Sequence, residues 1–306
     1  MFRPGVLREI DLAGAREPRR AEIMRGPGRA MVYKTGSAGD PEALFGRMER
    51  IWEQCCAGML LPEHKVLIKI NLNTADPYPA STCPEMISAL VGFLRKKGIH
   101  KITVGDCSAI SALPTRGVAR KSGVIRAVSG DAETVCFDEN PWVRVHIPGQ
   151  HLKYVTVPEA VFEADRIIFL SNMKTHRHAG FSFGLKLAVG FVHPLERHAL
   201  HKEHLQKKIA EIALAVQPDL TIIDGRTAFI TGGPEKGRTA EPGVVMLGTN
   251  PLAVDVEAYR ELYRVKNKYR CLEGFPADPF VTDQLRHGRD IGIGGLPWED
   301  FECVEF

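Results

Sequence analysis

Residues 65–106 read KVLIKINLNTADPYPASTCPEMISALVGFLRKKGIHKITVGD, and the order of patterns within them decides the fold. Lys65 to Ile70 is a short apolar run of strand type. From Pro84 to Lys97 the apolar residues Met86, Ile87, Leu90, Val91 and Leu94 recur at helical spacing. Pro84 suits a first helical turn, Thr82 or Cys83 can cap it, and Gly98 is a natural stop. Lys101 to Gly105 is a second strand. Strand, helix and strand in so short a span make a βαβ unit, which requires parallel pairing and a right-handed crossover.

The same rhythm extends outward. A helix is expected around Arg116 to Val128 and a strand at Glu133 to Asp138. Short strands at Val143 to Ile147 and Tyr154 to Val157, around the turn Pro148-Gly149, read as an antiparallel edge or a connector. Then follow a strand at Arg166 to Leu170, a largely apolar helix at Phe181 to Val192 and an amphipathic helix at Glu203 to Val216. Strands at Leu220 to Ile223 and Val244 to Leu247 precede a helix at Pro251 to Tyr263. The expectation is an α/β fold, a mostly parallel sheet with helices on both faces. The division expected is an N-terminal arm (1–30), a first α/β lobe (31–140), a connector (141–165) and a second α/β lobe (166–306).

Composition narrows the partners. The 306 residues are 44% hydrophobic and 25% charged, ordinary globular usage. A formal charge of +3 is too mild to imply nucleic acid. The most basic stretch, Arg16 to Arg29, is Pro/Gly-rich and reads as a solvated arm rather than a phosphate-binding one. Met1 to Ala30 lacks an apolar core of ~7–15 residues, and no run of ~18 apolar residues exists, so neither export nor a membrane is expected. The seven cysteines form no CxxC pair and no ferredoxin-like run, and read as reduced thiols of a cytoplasmic protein.

In open parallel sheets ligands gather at the carboxyl ends of strands. Four expected strand ends are polar here: Asn71 to Asp76 (with Asn73), Asp106 to Ser108, Ser171 to His178, and Asp224 to Arg226. The stretch Lys174 to Lys186, KTHRHAGFSFGLK, runs from a basic loop through Gly180 and Ser182 into the expected helix. With Ser182 as cap, Lys186 falls near the helix start and its amine leans back toward the loop. A lysine among Phe183, Leu185 and Leu187 needs a partner or a chemical role, as nucleophile, base or anion clamp. The plainer reading is a stem on apolar surface with its amine in water.

Further candidates carry weaker signals. His198, His201 and His204, spaced by three, would share a helix face and could bind metal or deliver a proton, or could be an ordinary polar face. Gly232 and Gly233, in Thr231-Gly-Gly-Pro-Glu-Lys-Gly237, could cradle a phosphate or form a tight turn without a ligand. Asp255 either faces the crevice or simply favours a helix start. Cys83, at a helix N-terminus where a thiol pKa falls, and Cys107 could share a metal or iron–sulfur centre, or be small buried apolar residues.

The segments VLIKINLNT (66–74), STCPEM (81–86), KITVGDCS (101–108), SNMKTHRHAGFSFGLKLAVGFV (171–192), DLTIIDG (219–225), TGGPEKG (231–237) and GTNPLAVDVEAY (248–259) resemble, in order and spacing, the family called domain of unknown function 362. Several members of that family carry a ferredoxin-type segment, and this chain has none. The run His176-Arg-His-Ala-Gly-Phe-Ser-Phe-Gly-Leu-Lys186 is also similar to a motif of the nickel-pincer lactate racemases, with Phe183 where those enzymes have glycine. That similarity implies a nickel-pincer cofactor joined to Lys186, with His176 and His201 as ligand or acid/base; His178 is, separately from that likeness, a further candidate metal ligand.

The sequence therefore suggests an enzyme acting on a small anionic molecule, a carboxylate or a phosphate, by Lys/His acid–base chemistry. Lys174 and Lys186 hold the anion, His176 transfers protons, and Asp106 and Asp224 orient partners or a metal. The alternative is a non-catalytic carrier or maturation protein that delivers a cofactor, metal or iron–sulfur cluster to a redox or cofactor-dependent partner enzyme.

Overall fold

A computed structural model describes residues 6–11, 30–36, 40–56, 58–295 and 301–305. The basic stretch Arg16 to Arg29 lies outside the described residues. In chain order the first elements are β1 (Val6–Asp11), β2 (Ala30–Gly36), α1 (Pro41–Cys56), β3 (Lys65–Lys69), α2 (Pro84–Lys96) and β4 (Lys101–Asp106). Next come α3 (Thr115–Lys121), α4 (Val124–Val128), β5 (Glu133–Cys136), β6 (Trp142–His146), β7 (Tyr154–Pro158), α5 (Ala160–Glu163), β8 (Arg166–His176) and β9 (Gly180–Ser182). The remainder are α6 (Gly184–Leu187), α7 (Pro194–Leu200), α8 (Leu205–Ala215), β10 (Leu220–Phe229), β11 (Thr239–Ala240), β12 (Val244–Gly248), α9 (Pro251–Lys268), α10 (Asp283–Asp290) and β13 (Phe301–Glu305).

A ten-stranded sheet runs β13-β2-β12-β10-β8-β3-β4-β5, with β9 paired to β8 and β11 to β10. The neighbours β5, β4, β3, β8 and β10 are mutually parallel, while β12 runs antiparallel to both β10 and β2. Both stretches read from sequence as separate lobes contribute to this one sheet. β6 pairs antiparallel with β7, as expected, and β1 joins β6 in a second, three-stranded sheet. Part of the expected N-terminal arm is thus a strand.

The paired middles of the central strands are mostly apolar on both sides because both faces are covered. In β8, Ile167 and Phe169 enter one core cluster and Ile168 and Leu170 the other. α1, α2 and α4 pack on the second face, and α8, α9 and the small sheet on the first. Among the described residues no helix is long and apolar enough to cross a membrane.

Several boundaries differ from expectation. The helix expected at 116–128 is two, broken at Gly123 with φ +85°. The stretch from Ser171 to His176 is strand, not loop. The helix expected at 181–192 is β9, the single turn of α6 and a 3-10 turn over Ala188–Phe191. Gly180, at φ +80°, reverses the chain so that Phe181-Ser182-Phe183 alternates as a strand against β8. The three histidines do not share a helix face: α7 ends at Leu200, His201 follows it, and His204 sits in a left-handed turn before α8.

Candidate functional site

The chain moves from β3 outward to β4 and β5, then returns to β8 on the other side of β3 and continues to β10. Strand order therefore reverses between β3 and β8, the position at which open α/β sheets form their ligand crevice, at the carboxyl ends of the strands. β8 runs on past Phe169, its last pairing with β3, as far as His176. Pleating sends Asn172, Lys174 and His176 to one side of that extension.

At the floor is a lysine that sequence reasoning misses. Lys69, the last residue of β3, is fully buried, and its Nζ lies 2.6 Å from Asp106 Oδ1 at the end of β4. Burial lowers the lysine pKa, and the Asp106 charge opposes that shift. Asp106 also accepts N–H bonds from Leu72 (2.5 Å) and Cys107 (2.7 Å). Its carboxylate is thereby committed to structure. Gly190 crosses directly over the pair: a Cβ there would stand 2.4 Å from both Lys69 Nζ and Asp106 Oδ1. Arg197, a second cation the sequence does not mark, is buried and donates to the carbonyls of Val192, Cys107, Ser108 and Gly190. It ties the 3-10 turn to the end of β4.

Above them, Lys174 is 2% exposed, and the hydrogen bond from its Nζ goes to Ala80 O at 2.5 Å. Burial, reinforced by the charge of Lys186, pushes its pKa down to about 7. Ser182 on β9 lies directly across the strand pair from Lys174. Asn172 donates both amide hydrogens, to Pro79 O (2.8 Å) and Ser81 O (2.7 Å), and its buried Oδ1 has no hydrogen-bond partner among the described residues.

His176 is buried, and its Nδ1 accepts the backbone N–H groups of His178 and Ala179, both at 3.2 Å. An acceptor Nδ1 puts the ring proton on Nε2. Burial, then the charges of Lys186 and Lys174, push its pKa down to about 2. The ring is a neutral Nε2–H donor, and this changes the acid/base role expected from sequence. His178 and His201 are exposed, with ring centroids 5.9 Å apart, and His178 lies 6.1 Å from His176.

Lys186 sits on α6 and is half-buried. The cap expected from Ser182 comes instead from Asp255 of α9, whose Oδ1 and Oδ2 accept the N–H groups of Gly184 (2.8 Å) and Leu185 (2.9 Å). Burial raises Asp255 to about 7, against the pull of those two N–H donors. Gly184 permits the approach, since a Cβ there would meet Thr221 Cγ2 at 2.7 Å. Lys186 itself makes no ion pair or hydrogen bond among the described residues. Burial, then Arg197, lower its pKa to about 8, while Glu235 draws it upward. Phe183, where the racemase motif has glycine, is buried and stacked on Phe181 at 4.8 Å, so it fills the core.

The other expected residues are mainly structural. Asn71 pairs with Thr82 through its backbone N–H (2.8 Å) and carbonyl (2.9 Å), and the Asn73 carbonyl accepts from Ala109. Asp224 takes a fork from Arg226 (3.0, 3.2 and 2.8 Å) and the hydroxyl of Tyr78 at 2.9 Å. The Gly233 N–H bonds to Lys236 O (2.8 Å), inside a tight loop packed on the end of β8. Gly232, at φ +70°, is exposed in the same loop. Cys83 and Cys107 enter different core clusters rather than one centre. Burial, then the Glu85 hydrogen bond, raise the Cys83 pKa despite its helix-start position, and burial pushes Cys107 up to about 11. A separate hollow of about 620 Å³ lies by Lys34, Gly36, Val244, Arg264 and Glu305, where Lys34 and Arg264 both pair with Glu261.

The motifs that build this crevice fall within one family match: residues 66–260 match the family described as Domain of unknown function (DUF362). The chain belongs to this family. It is 28% identical over 204 residues to the "Thylakoid-associated protein sll1697" of Synechocystis sp., covering 63% of this chain and 61% of that protein's length. Among solved structures it is similar to the lactate racemase apoprotein from Thermoanaerobacterium thermosaccharolyticum, at 14% identity and a TM-score of 0.37. That similarity covers 67% of this chain and 52% of the racemase chain.

Proposed function

We propose that the crevice between β3 and β8 binds a small carboxylate- or phosphate-bearing molecule and moves a proton beside its charged group. The observation that carries this reading is the pair Lys174 and Lys186. They lie near enough for the charge of Lys186 to lower the pKa of Lys174, and among the described residues neither has a carboxylate in contact, Glu235 drawing both upward only from a distance. A buried ammonium whose counter-charges stand at a distance is costly, and an anionic ligand supplies a nearer one. Lys69 and Arg197 are already anchored and add fixed positive potential.

The roles follow from protonation state. At neutral pH Lys174 and Lys186 divide between ammonium, which clamps an anion, and amine, which accepts a proton. The His176 Nε2–H is a neutral donor suited to a developing oxyanion. The test is a calorimetric titration of the whole chain with inorganic phosphate, pyruvate, lactate and malonate, followed by NMR of solvent deuterium entering the carbon beside the carboxylate. Binding that weakens in Lys186→Met and Lys174→Met, with exchange lost in Lys174→Met, supports the reading. Binding indifferent to both substitutions sinks it, and tight binding without exchange favours the carrier alternative.

A second reading concerns a cofactor on Lys186. An amine lowered to about 8 and without a hydrogen bond or ion pair among the described residues suits covalent attachment, and Phe183 is turned into the core. If such a group is carried, Lys186 would hold it and the exposed His178 and His201 would flank it, while the group itself would supply electron-accepting chemistry. Intact mass of anaerobically purified protein tests this: added mass on Lys186 supports it, and the bare chain mass opposes it.

A further inference from the structure

Apart from the crevice, three side chains converge that its chemistry does not use. His151 lies between β6 and β7, Glu211 on α8 and His287 on α10, and one potential ligand atom from each lies within 4.8 Å of the others. Glu211 is fully buried. Its oxygens accept the N–H groups of Gln150 (2.9 Å), His151 (3.0 and 3.1 Å) and Leu152 (2.7 Å), and Oε1 lies 2.9 Å from His287 Nε2. The loop is shaped to this carboxylate: a Cβ on Gly149 would stand 2.6 Å from Glu211 Oε2 and 2.3 Å from Leu152 O. Backbone donors of this kind are how proteins orient a ligating carboxylate.

Two observations go beyond an internal salt bridge. His151 Nε2 is buried and has no hydrogen-bond partner among the described residues, a state that costs free energy unless something fills it. His204 packs its ring on His151, with centroids 4.5 Å apart, and holds φ +52°, a conformation uncommon outside glycine that collects at ligand sites.

The geometry points to a divalent transition-metal site of zinc type, held by His151 Nε2, a Glu211 oxygen and His287 Nε2. Two imidazoles and one carboxylate suit a borderline cation, and three protein ligands leave a coordination position open near His204. On binding, a His287 proton on Nε2 moves to Nδ1, and the Nε2 lone pair turns from the carboxylate to the metal. Such a site would tie the β6–β7 loop to α8 and α10.

The deciding experiment uses the whole chain stripped by a chelator, titrated with Zn²⁺ in a calorimeter and with Co²⁺ by visible absorption. The expected result is one Zn²⁺ per chain, Co²⁺ bands of low-coordinate type, and affinity lower by at least about tenfold in His151→Ala. His178→Ala and His201→Ala should bind as the parent does, separating this site from the histidines by the crevice. His151 is partly exposed, and circular dichroism of metal-free His151→Ala checks that its fold is intact. Absence of binding by the parent chain, parent-like affinity in His151→Ala, or loss confined to His178→Ala would overturn the assignment.

Discussion

Residue by residue, the crevice separates cations that are anchored from cations that are poised. Lys69 is held by Asp106 at 2.6 Å, whereas Lys174 has a carbonyl and Lys186 has no internal partner among the described residues. Asp106→Asn should therefore act on stability, leaving Lys69 buried without a counter-charge at a cost of about 3–5 kcal/mol in urea unfolding. Lys174→Met should do the opposite and stabilise the ligand-free chain by about 0.5–2 kcal/mol, as expected where function holds a destabilising group. The pH dependence has a definite sign. Lys174 titrates at about 7 when folded and near 10.5 when unfolded, so between those values the unfolded chain binds the extra proton. Its contribution raises stability as pH climbs from 7 to 10.5, and Lys174→Met should flatten that slope in unfolding curves recorded across the window.

At the scale of elements, two short turns hold the machinery. The 3-10 turn over Ala188–Phe191 can lie on the Lys69–Asp106 pair only because residue 190 is glycine, so Gly190→Ala should cost about 1–3 kcal/mol by thermal unfolding. α6 is too short to be stable by itself and is held from a distance by Asp255. Asp255→Ala leaves two buried N–H groups unpaired, which should cost about 1–3 kcal/mol and weaken anion binding together with Lys186. Neither turn is legible in the sequence. The apolar run Phe181 to Val192 has helical composition, but the positive φ of Gly180 and the close approaches that Gly184 and Gly190 allow divide it into strand, turn and 3-10 turn. A capping acid supplied 70 or 71 positions away leaves no local pattern to read.

Over the whole molecule, the sequence pattern carries the sheet better than the site. The βαβ unit at 65–106 and the apolar runs at 166–170 and 220–223 become parallel neighbours because strands buried on both faces must be apolar throughout. Where those strands continue into polar residues the pattern gives out: β8 reaches His176 and β10 reaches Phe229, although polarity there reads as loop. Lys174, His176 and Lys186 stand out because charge amid apolar residues is costly. Lys69 is hidden, since a lysine closing a strand reads as a solvated end. Asp106 and Asp224 are legible as strand-end acids, but only the structure shows their oxygens engaged by Lys69, Arg226 and backbone donors.

A crevice whose lysines have no carboxylate in contact among the described residues should take up a proton together with its anion. The decisive measurement is calorimetry with inorganic phosphate and the small carboxylates at pH 6.5 and pH 9, in two buffers of different ionisation enthalpy. Because Lys174 and Lys186 titrate at about 7 and about 8, the expected result is proton uptake on binding that is large at pH 9 and small at pH 6.5, weaker affinity at the higher pH, and loss of both effects in the double variant Lys174→Met with Lys186→Met. Binding without proton uptake at pH 9, equal affinity at the two pH values, or no binding by any of these anions would contradict it.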